Sequence, residues 1–554
     1  MIVGVRHCLA LPSILLSHNV RVPATNRREF LNHLLAAGGA LTAGSWYRGF
    51  AQARNSGPAR VLLDTSRPRA DLDRHLLGSF LEHLGRAIYG GVYEPGSPLA
   101  DANGFRKDVL EEVRALGVPI VRYPGGNFVS GYHWQDGVGP KEQRPRVLDR
   151  AWNSIETNQF GTNEFMEWCR AVGAEPLVAV NLGSGTPENA AALVEYCNVA
   201  GGTRWSDLRR QHGVASPRNV KFWCLGNEMD GHWQIGHMPA AEYGLKAADA
   251  ARQMRAVDHA LHLVACGSSG PFMPTYLEWD RQVLEQCYDD VDAISLHRYY
   301  NNTSETNGDT SRYLALNLDM ERQIQEVTAV CDYVRGLRRS PKRLSLSFDE
   351  WNVWYRERSG DGKRQEAPHL LEEVYNLEDA LLVGGLINTL LRHADRVRIA
   401  CLAQLVNVIA PLMTNRDKIL RQTIYYPYAW ALHYARGQVM DLLLESESYE
   451  VPNLGQVPFV DIAATADPST GEQCILMLNR DLSAEREVSV TWPAAAPTRV
   501  VSFETLTGSD LKASNSFDQP NRIAPQRLDP PKAAARMTFK LPPRSYTAAR
   551  LATT

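Results

Sequence analysis

The chain has 554 residues, 44% hydrophobic and 22% charged, which excludes a disordered protein and is too long for one compact domain. A formal net charge of −3 excludes a strong electrostatic footprint for nucleic acid or an anionic membrane, so a neutral partner is expected. Nine cysteines in this length make no disulfide framework, and no Cys/His cluster has the spacing of zinc ligands.

At the N-terminus, Asn26-Arg-Arg-Glu-Phe-Leu31 leads into a Gly/Ala-rich apolar run from Leu34 to Ala43, then Ala51-Gln-Ala53 with the small-x-small form of a cleavage site. This resembles a bacterial twin-arginine signal with Arg27 and Arg28 as the pair, which predicts that residues 1–53 are removed and the protein is periplasmic or secreted. Nothing else approaches the roughly 18 apolar residues that span a bilayer. Residues 54–74 carry a strand, Ala59 to Asp64, predicted to join a C-terminal β-domain.

From 75 to 435, apolar strand-like runs alternate with helical patterns such as Gly104 to Leu116 and Thr162 to Val172. The runs begin at Gly78, Pro119, Pro176, Lys221, Leu261, Ala293, Arg343 and Arg398. Eight such strands predict an α/β fold, a (β/α)8 barrel. From 436 to 554 the runs are short and broken by Pro, Asp, Gly and Ser turns, for example 459–464, 473–478, 487–492 and 499–503. They predict an accessory antiparallel β-sandwich of jelly-roll type.

In a barrel of this kind, residues at the C-terminal ends of strands build the site. Strand one delivers Glu82 and His83, strand two Arg122 with Gly125-Gly-Asn127, and strand four Asn227 and Glu228. Strand six delivers His297 and Tyr299, strand seven Glu350 and Trp351, and strand eight Gln404 and Asn407. One glutamate after an apolar run is usually a solvated strand end. Two of them, on strands four and seven, suit glycoside hydrolysis, which needs one protonated and one ionised carboxyl group. Asn227 beside Glu228 can bond a sugar hydroxyl near the anomeric centre, which makes Glu228 the expected acid/base. Glu350 is the expected nucleophile, with Arg122, His297 and Tyr299 to keep it ionised; Arg122 alternatively clamps Glu82. Glu82, Asn127 and Gln404 suit sugar hydroxyls, while Trp233, Trp351 and Trp354 offer flat faces either to a ring or to the core. No metal or cofactor is expected.

Several segments together resemble the α-L-arabinofuranosidases of glycoside hydrolase family 51. They are Gly78-Ser-Phe-Leu-Glu-His83, Arg122-Tyr-Pro-Gly-Gly-Asn127, Gly226-Asn-Glu-Met-Asp-Gly231 with Trp233-Gln-Ile-Gly236, Leu296-His-Arg-Tyr299 and Asp349-Glu-Trp-Asn352. The resemblance runs from about residue 59 to the C-terminus. It implies a retaining, exo-acting enzyme without cofactor, commonly a homohexamer. It further implies Glu228 as acid/base, Glu350 as nucleophile, Arg122 in support, and sugar contacts from Glu82, Asn127, Asn227, His297, Tyr299 and Gln404. The expected substrate is a terminal arabinofuranosyl group on arabinan, arabinoxylan or their fragments. Two features depart from the pattern: the twin-arginine signal and the charged stretch from Arg356 to Pro368. The rival expectations are the same machinery on another glycon (β-D-galactofuranosidase, β-xylosidase or endo-glucanase) and a non-catalytic carbohydrate-binding protein, against which the intact Glu228 and Glu350 argue.

Overall fold

The computed structural model describes residues 57–356 and 363–553. Eight strands close a barrel in the order Gly78–Phe80, Ile120–Tyr123, Glu175–Val180, Phe222–Leu225, His262–Ala265, Ala293–Tyr300, Ser345–Val353 and Val397–Leu402. Every neighbouring pair is parallel, and closure comes from Cys401 and Leu402 pairing with Gly78 and Ser79. Strands covered on both faces read as unbroken apolar runs, which is why all eight were visible in the sequence. The anticipated helices lie at Lys107–Leu116 and Thr162–Val172, the second burying Phe165, Met166 and Cys169.

Two strands run further than expected. The sixth and seventh stay paired past their anticipated ends, with His297 beside Glu350, Arg298 beside Trp351 and Tyr299 beside Asn352. Glu350 therefore lies within a strand instead of at its tip. The register slips by one residue between Ser347 and Glu350, the mark of a β-bulge.

The accessory domain is one curled sheet of nine strands, almost all antiparallel. Ala59–Asp71 enters it as expected, antiparallel to Gln438–Glu445 and parallel to Arg486–Thr491. Phe503, on the second strand in spatial order, meets Phe539, on the ninth, with ring centroids 5.5 Å apart. The sheet thus folds over itself and packs as two layers around Val61, Ile462, Ile475, Val490 and Leu551.

Helix Leu377–Arg392 lies between barrel and sheet, which explains its nearly all-round apolar composition. Asn376 caps it by accepting from the Asp379 N–H. At Gly384 any Cβ would meet the Tyr546 ring at 2.5 Å, so only glycine permits this approach. Beside it, buried Asp461 accepts from Arg392 at 2.9 Å, Arg480 at 3.1 Å and Asn388 at 2.9 Å. Burial opposes ionisation of Asp461, but the two guanidinium groups outweigh it and hold the carboxyl well below its usual range. Among the described residues no helix is long and apolar enough to cross a membrane, and the eight described cysteines are free and buried. The predicted signal, residues 1–53, lies outside the described residues.

Candidate active site

The fourth strand ends at Leu225, and the chain then turns through two left-handed positions, Gly226 at φ 95° and Glu228 at φ 44°. Glycine adopts such a φ freely; a glutamate does so only where surrounding contacts hold it. Met229, fully buried, fixes the turn, and Asp230 accepts from the backbone N–H and hydroxyl of Ser269 and from Ser268 Oγ. The result aims the Glu228 carboxyl into the barrel mouth. Its Oε2 accepts from Trp233 Nε1 at 2.7 Å, and its Oε1 lies 3.0 Å from His297 Nδ1.

Facing it, Glu350 accepts from Arg122 Nη1 at 2.6 Å and from the Tyr299 hydroxyl at 2.8 Å. Two donors on two oxygens make the surroundings of a carboxylate. The second amino nitrogen of Arg122 donates to Asn227 Oδ1 at 2.7 Å, so a single guanidinium orients both Glu350 and the residue next to Glu228. Successive residues of a regular strand point to opposite faces. Because of the bulge, Asp349 and Glu350 both reach inward instead. Asp349, 0% exposed, lies 3.0 Å from His297 Nε2 and 3.5 Å from Arg122 Nε.

A third carboxyl group closes one side of the pocket. Glu82 accepts on Oε1 from the Phe128 N–H and from Trp152 Nε1, each at 2.9 Å. The Gln404 side-chain oxygen accepts from the Glu82 N–H at 2.9 Å. Gly126 is essential here, since a Cβ on it would lie 2.2 Å from Glu82 Oε2. Trp152 rides on the hairpin Val147–Asp149/Ser154–Glu156, whose root is fixed by buried Glu156 bonding His83 Nδ1 at 2.8 Å. The charged stretch after strand seven touches the same hairpin: Gln365 accepts from the Ile155 N–H at 3.1 Å, and Arg364 donates to Asn153 at 2.9 Å.

The electrostatics divide these groups. Burial, reinforced by the Glu350 charge, pushes Glu82 up to about 8. Burial also raises Glu228; His297 opposes the shift and Glu350 adds to it. For His297 burial favours the neutral ring, but Glu350, Asp349 and Glu228 outweigh it and push the imidazole up to about 10. Asp349 is held below the ordinary carboxyl value, burial being overcome by Arg122 and His297. Arg122 and His297 thus carry positive charge beside a depressed Asp349, while Glu82 and Glu228 are both shifted toward holding a proton. One atom each of Glu228, His297 and Glu350 lie within 4.8 Å of one another. That spacing would also suit a cation, but each of these side chains already has protein partners, and the cluster is satisfied as a network of protons and charges.

Most of the anticipated residues meet here: Glu82, Arg122, Asn227, Glu228, His297, Tyr299, Glu350 and Gln404, with Asn127 3.5 Å from Asn227. Trp233, expected to offer a flat face, does so at 37% exposure and also holds Glu228 through its N–H. Trp354 packs edge-on against Tyr299 at 5.3 Å. Trp351 is a correction. It is 1% exposed within the apolar core and lies beside Arg298, which pairs with Asp319 on the surrounding helix layer, so strand alternation turns it away from Glu350 and the pocket. Asn407 likewise bonds Arg86 O and Thr414 Oγ1 rather than facing the carboxyl pair. Asp349 and Trp152 were not anticipated; the aspartate adjoining Glu350 in Asp349-Glu-Trp-Asn352 was the available signal for the first.

Two carboxyl groups facing each other from strands four and seven of a (β/α)8 barrel are the arrangement of a glycoside hydrolase. The α-L-arabinofuranosidase 1 domain matches residues 112–317, and the α-L-arabinofuranosidase C-terminal domain matches 349–545. The chain is 46% identical over 497 residues to the intracellular exo-α-(1→5)-L-arabinofuranosidase 1 of Bacillus subtilis, covering 89% of this chain and 99% of that one. It is 44% identical to an exo-α-(1→6)-L-arabinofuranosidase of Bifidobacterium longum, covering 88% and 96%. Among solved structures, a family 51 α-L-arabinofuranosidase from Bifidobacterium longum superposes with a TM-score of 0.86 at 40% identity, covering 90% of this chain and all of that one. The arabinose complex of the Thermotoga maritima enzyme gives 0.80 at 35%, covering 89% and 100%. The chain belongs to the α-L-arabinofuranosidases of glycoside hydrolase family 51.

Proposed function

We propose that this enzyme removes terminal α-L-arabinofuranosyl groups from arabinan, arabinoxylan or their oligosaccharides with net retention. The observation that carries the reading is the close facing of Glu228 and Glu350, whose nearest atoms lie within 4.8 Å. Carboxyl groups about 5–5.5 Å apart leave room for direct attack, whereas inverting enzymes hold them about 6.5–9.5 Å apart to admit a water. In the first step Glu350 forms a bond to the anomeric carbon while the glycosidic bond breaks and Glu228 gives its proton to the leaving oxygen. Forming that ester removes the charge of Glu350, which had been raising the Glu228 pKa. Glu228 then ionises more readily and can take the proton of the attacking water, which displaces Glu350 and releases the sugar.

In this reading Asn227 bonds a hydroxyl beside the anomeric centre, and Glu82, Asn127 and Gln404 bond the glycon. The relatives named for (1→5) and for (1→6) linkages indicate that the scaffold accommodates different leaving sides. Initial rates on a panel of aryl furanosides and pyranosides test the reading: fast turnover of the α-L-arabinofuranoside supports it, and preference for another glycon overturns it. Following the first-formed sugar by proton NMR tests the stereochemistry, with the retained anomer expected.

We also propose that Arg27 and Arg28 direct export by the twin-arginine route. The free, buried cysteines suit a protein that folds in a reducing compartment before transport. Fractionating cells that express the wild type and Arg27→Lys/Arg28→Lys should show the variant retained inside; equal export of both would contradict the proposal. The homohexamer rests on family resemblance, and light scattering of the purified protein tests it.

A further inference from the structure

We propose that Asp349 is a positioning residue for this reaction, the permanent counter-charge that keeps His297 doubly protonated, with its Nδ1–H aimed at Glu228, after Glu350 has given up its charge. The inference rests on the double-displacement reading above. Its structural basis is independent of that reading.

The bulge between Ser347 and Glu350 turns two consecutive acidic side chains into one buried space, an arrangement a regular strand does not allow. Only one of the two is needed to attack the sugar. Asp349 instead pairs with the two cations, with Oδ1 3.0 Å from His297 Nε2 and Oδ2 3.5 Å from Arg122 Nε. Cys224 on the fourth strand lies 3.4 Å from Asp349 Oδ2, and the thiols of Cys266 and Cys401 lie in its field. His297 is faced by Asp349 on one ring nitrogen and by Glu228 and Glu350 on the other, at 3.0 and 3.7 Å. Tyr299 and Arg122 approach this group through Glu350.

While Glu350 is free, two anions support the two cations. Once its oxygen is bonded to the anomeric carbon and Glu228 has given its proton to the leaving group, the second negative charge has passed from Glu350 to Glu228, and Asp349 is the anion against Arg122 and His297 that stays charged through both steps. A carboxylate on Nε2–H also fixes the ring orientation, so that Nδ1 points at Glu228 Oε1 and not elsewhere. The proton used by Glu228 is then held jointly with an imidazolium whose charge does not depend on the state of the nucleophile.

Asp349→Asn keeps the size and an acceptor for Nε2–H but removes the charge. The alkaline limb of kcat/KM on an aryl α-L-arabinofuranoside should move to lower pH by about one unit or more, because the Glu228–His297 pair holds its proton less tightly. A purely structural role would lower the rate without moving the limb, and that result overturns the proposal. If the wild type itself does not cleave the arabinofuranoside, the functional reading fails instead. A second measurement needs no variant of Asp349 and no turnover. In wild-type enzyme labelled with ¹⁵N-histidine, the His297 signals, identified by their loss in His297→Asn, should show both nitrogens protonated at neutral pH. A neutral ring with a bare Nε2 would overturn the proposal.

Discussion

Nη1 of Arg122 lies 2.6 Å from Oε1 of Glu350, and the two side chains are only 1% and 7% exposed. Breaking a buried pair strands the remaining charge, at a cost of about 3–5 kcal/mol. Arg122→Met should therefore lower thermal stability as well as activity. Arg122→Lys keeps the charge but cannot bond Glu350 and Asn227 with one planar fork, and kcat/KM should fall roughly 100-fold or more with a smaller loss of stability. Thermal melts and steady-state kinetics separate the two variants.

Glu350→Ala should reduce turnover to background on every substrate, since nothing else in the cluster is placed to attack. Glu228→Ala should spare aryl glycosides with very good leaving groups and lose roughly 10²–10⁴-fold on poor ones, the usual range for general acid catalysis. Equal losses on both kinds of substrate would contradict its assignment as acid/base.

Trp152 reaches the site through one bond, its N–H to Glu82 at 2.9 Å. Trp152→Phe removes that donor from a buried acceptor, worth about 1–3 kcal/mol, and KM should rise by roughly tenfold with a smaller change in kcat. Gly126→Ala should be worse, because its Cβ would collide with the Glu82 carboxyl and φ there is 24°. An unchanged KM in both variants would show that this side of the pocket does not hold the sugar.

Glu82 also makes a prediction about stability. Its pKa is raised from 4.5 to about 8 in the folded state, so the folded protein keeps a proton that the unfolded chain has already released. Between these values folding becomes less favourable as pH rises, by about 1.4 kcal/mol per unit and up to about 5 kcal/mol in all. Glu82→Gln removes this dependence while its oxygen can still accept from Phe128 and Trp152. Denaturant unfolding at a series of pH values should show the variant gaining on the wild type from about pH 5 to 8. A constant difference across that range would contradict the shift.

The barrel was readable because each of its strands is covered on both sides and so spells an apolar run ending in a polar residue. Glu228, Glu350, Arg122 and His297 followed from asking what each run delivers. Trp351 was misplaced because it adjoins Glu350; the alternation of a strand already turned it outward. Asp349 escaped notice for the opposite reason, since alternation would hide it, and only the bulge brings it in. Trp152 sits on a short hairpin with no apolar periodicity, and its partner Glu82 is 70 residues away in the chain. The strands Arg536–Leu541 and Ser545–Ala552 went unanticipated, the first being short and alternating, with only its inward residues apolar and buried.

The most direct test is to inactivate the enzyme with a 2-fluoro-arabinofuranosyl reagent bearing a good leaving group, then digest it and locate the label by mass spectrometry. The account predicts one arabinofuranosyl ester per active site, carried on Glu350, and recovery of activity as the ester slowly hydrolyses. A label on Glu228 or elsewhere, or turnover that never accumulates a covalent adduct, would contradict it.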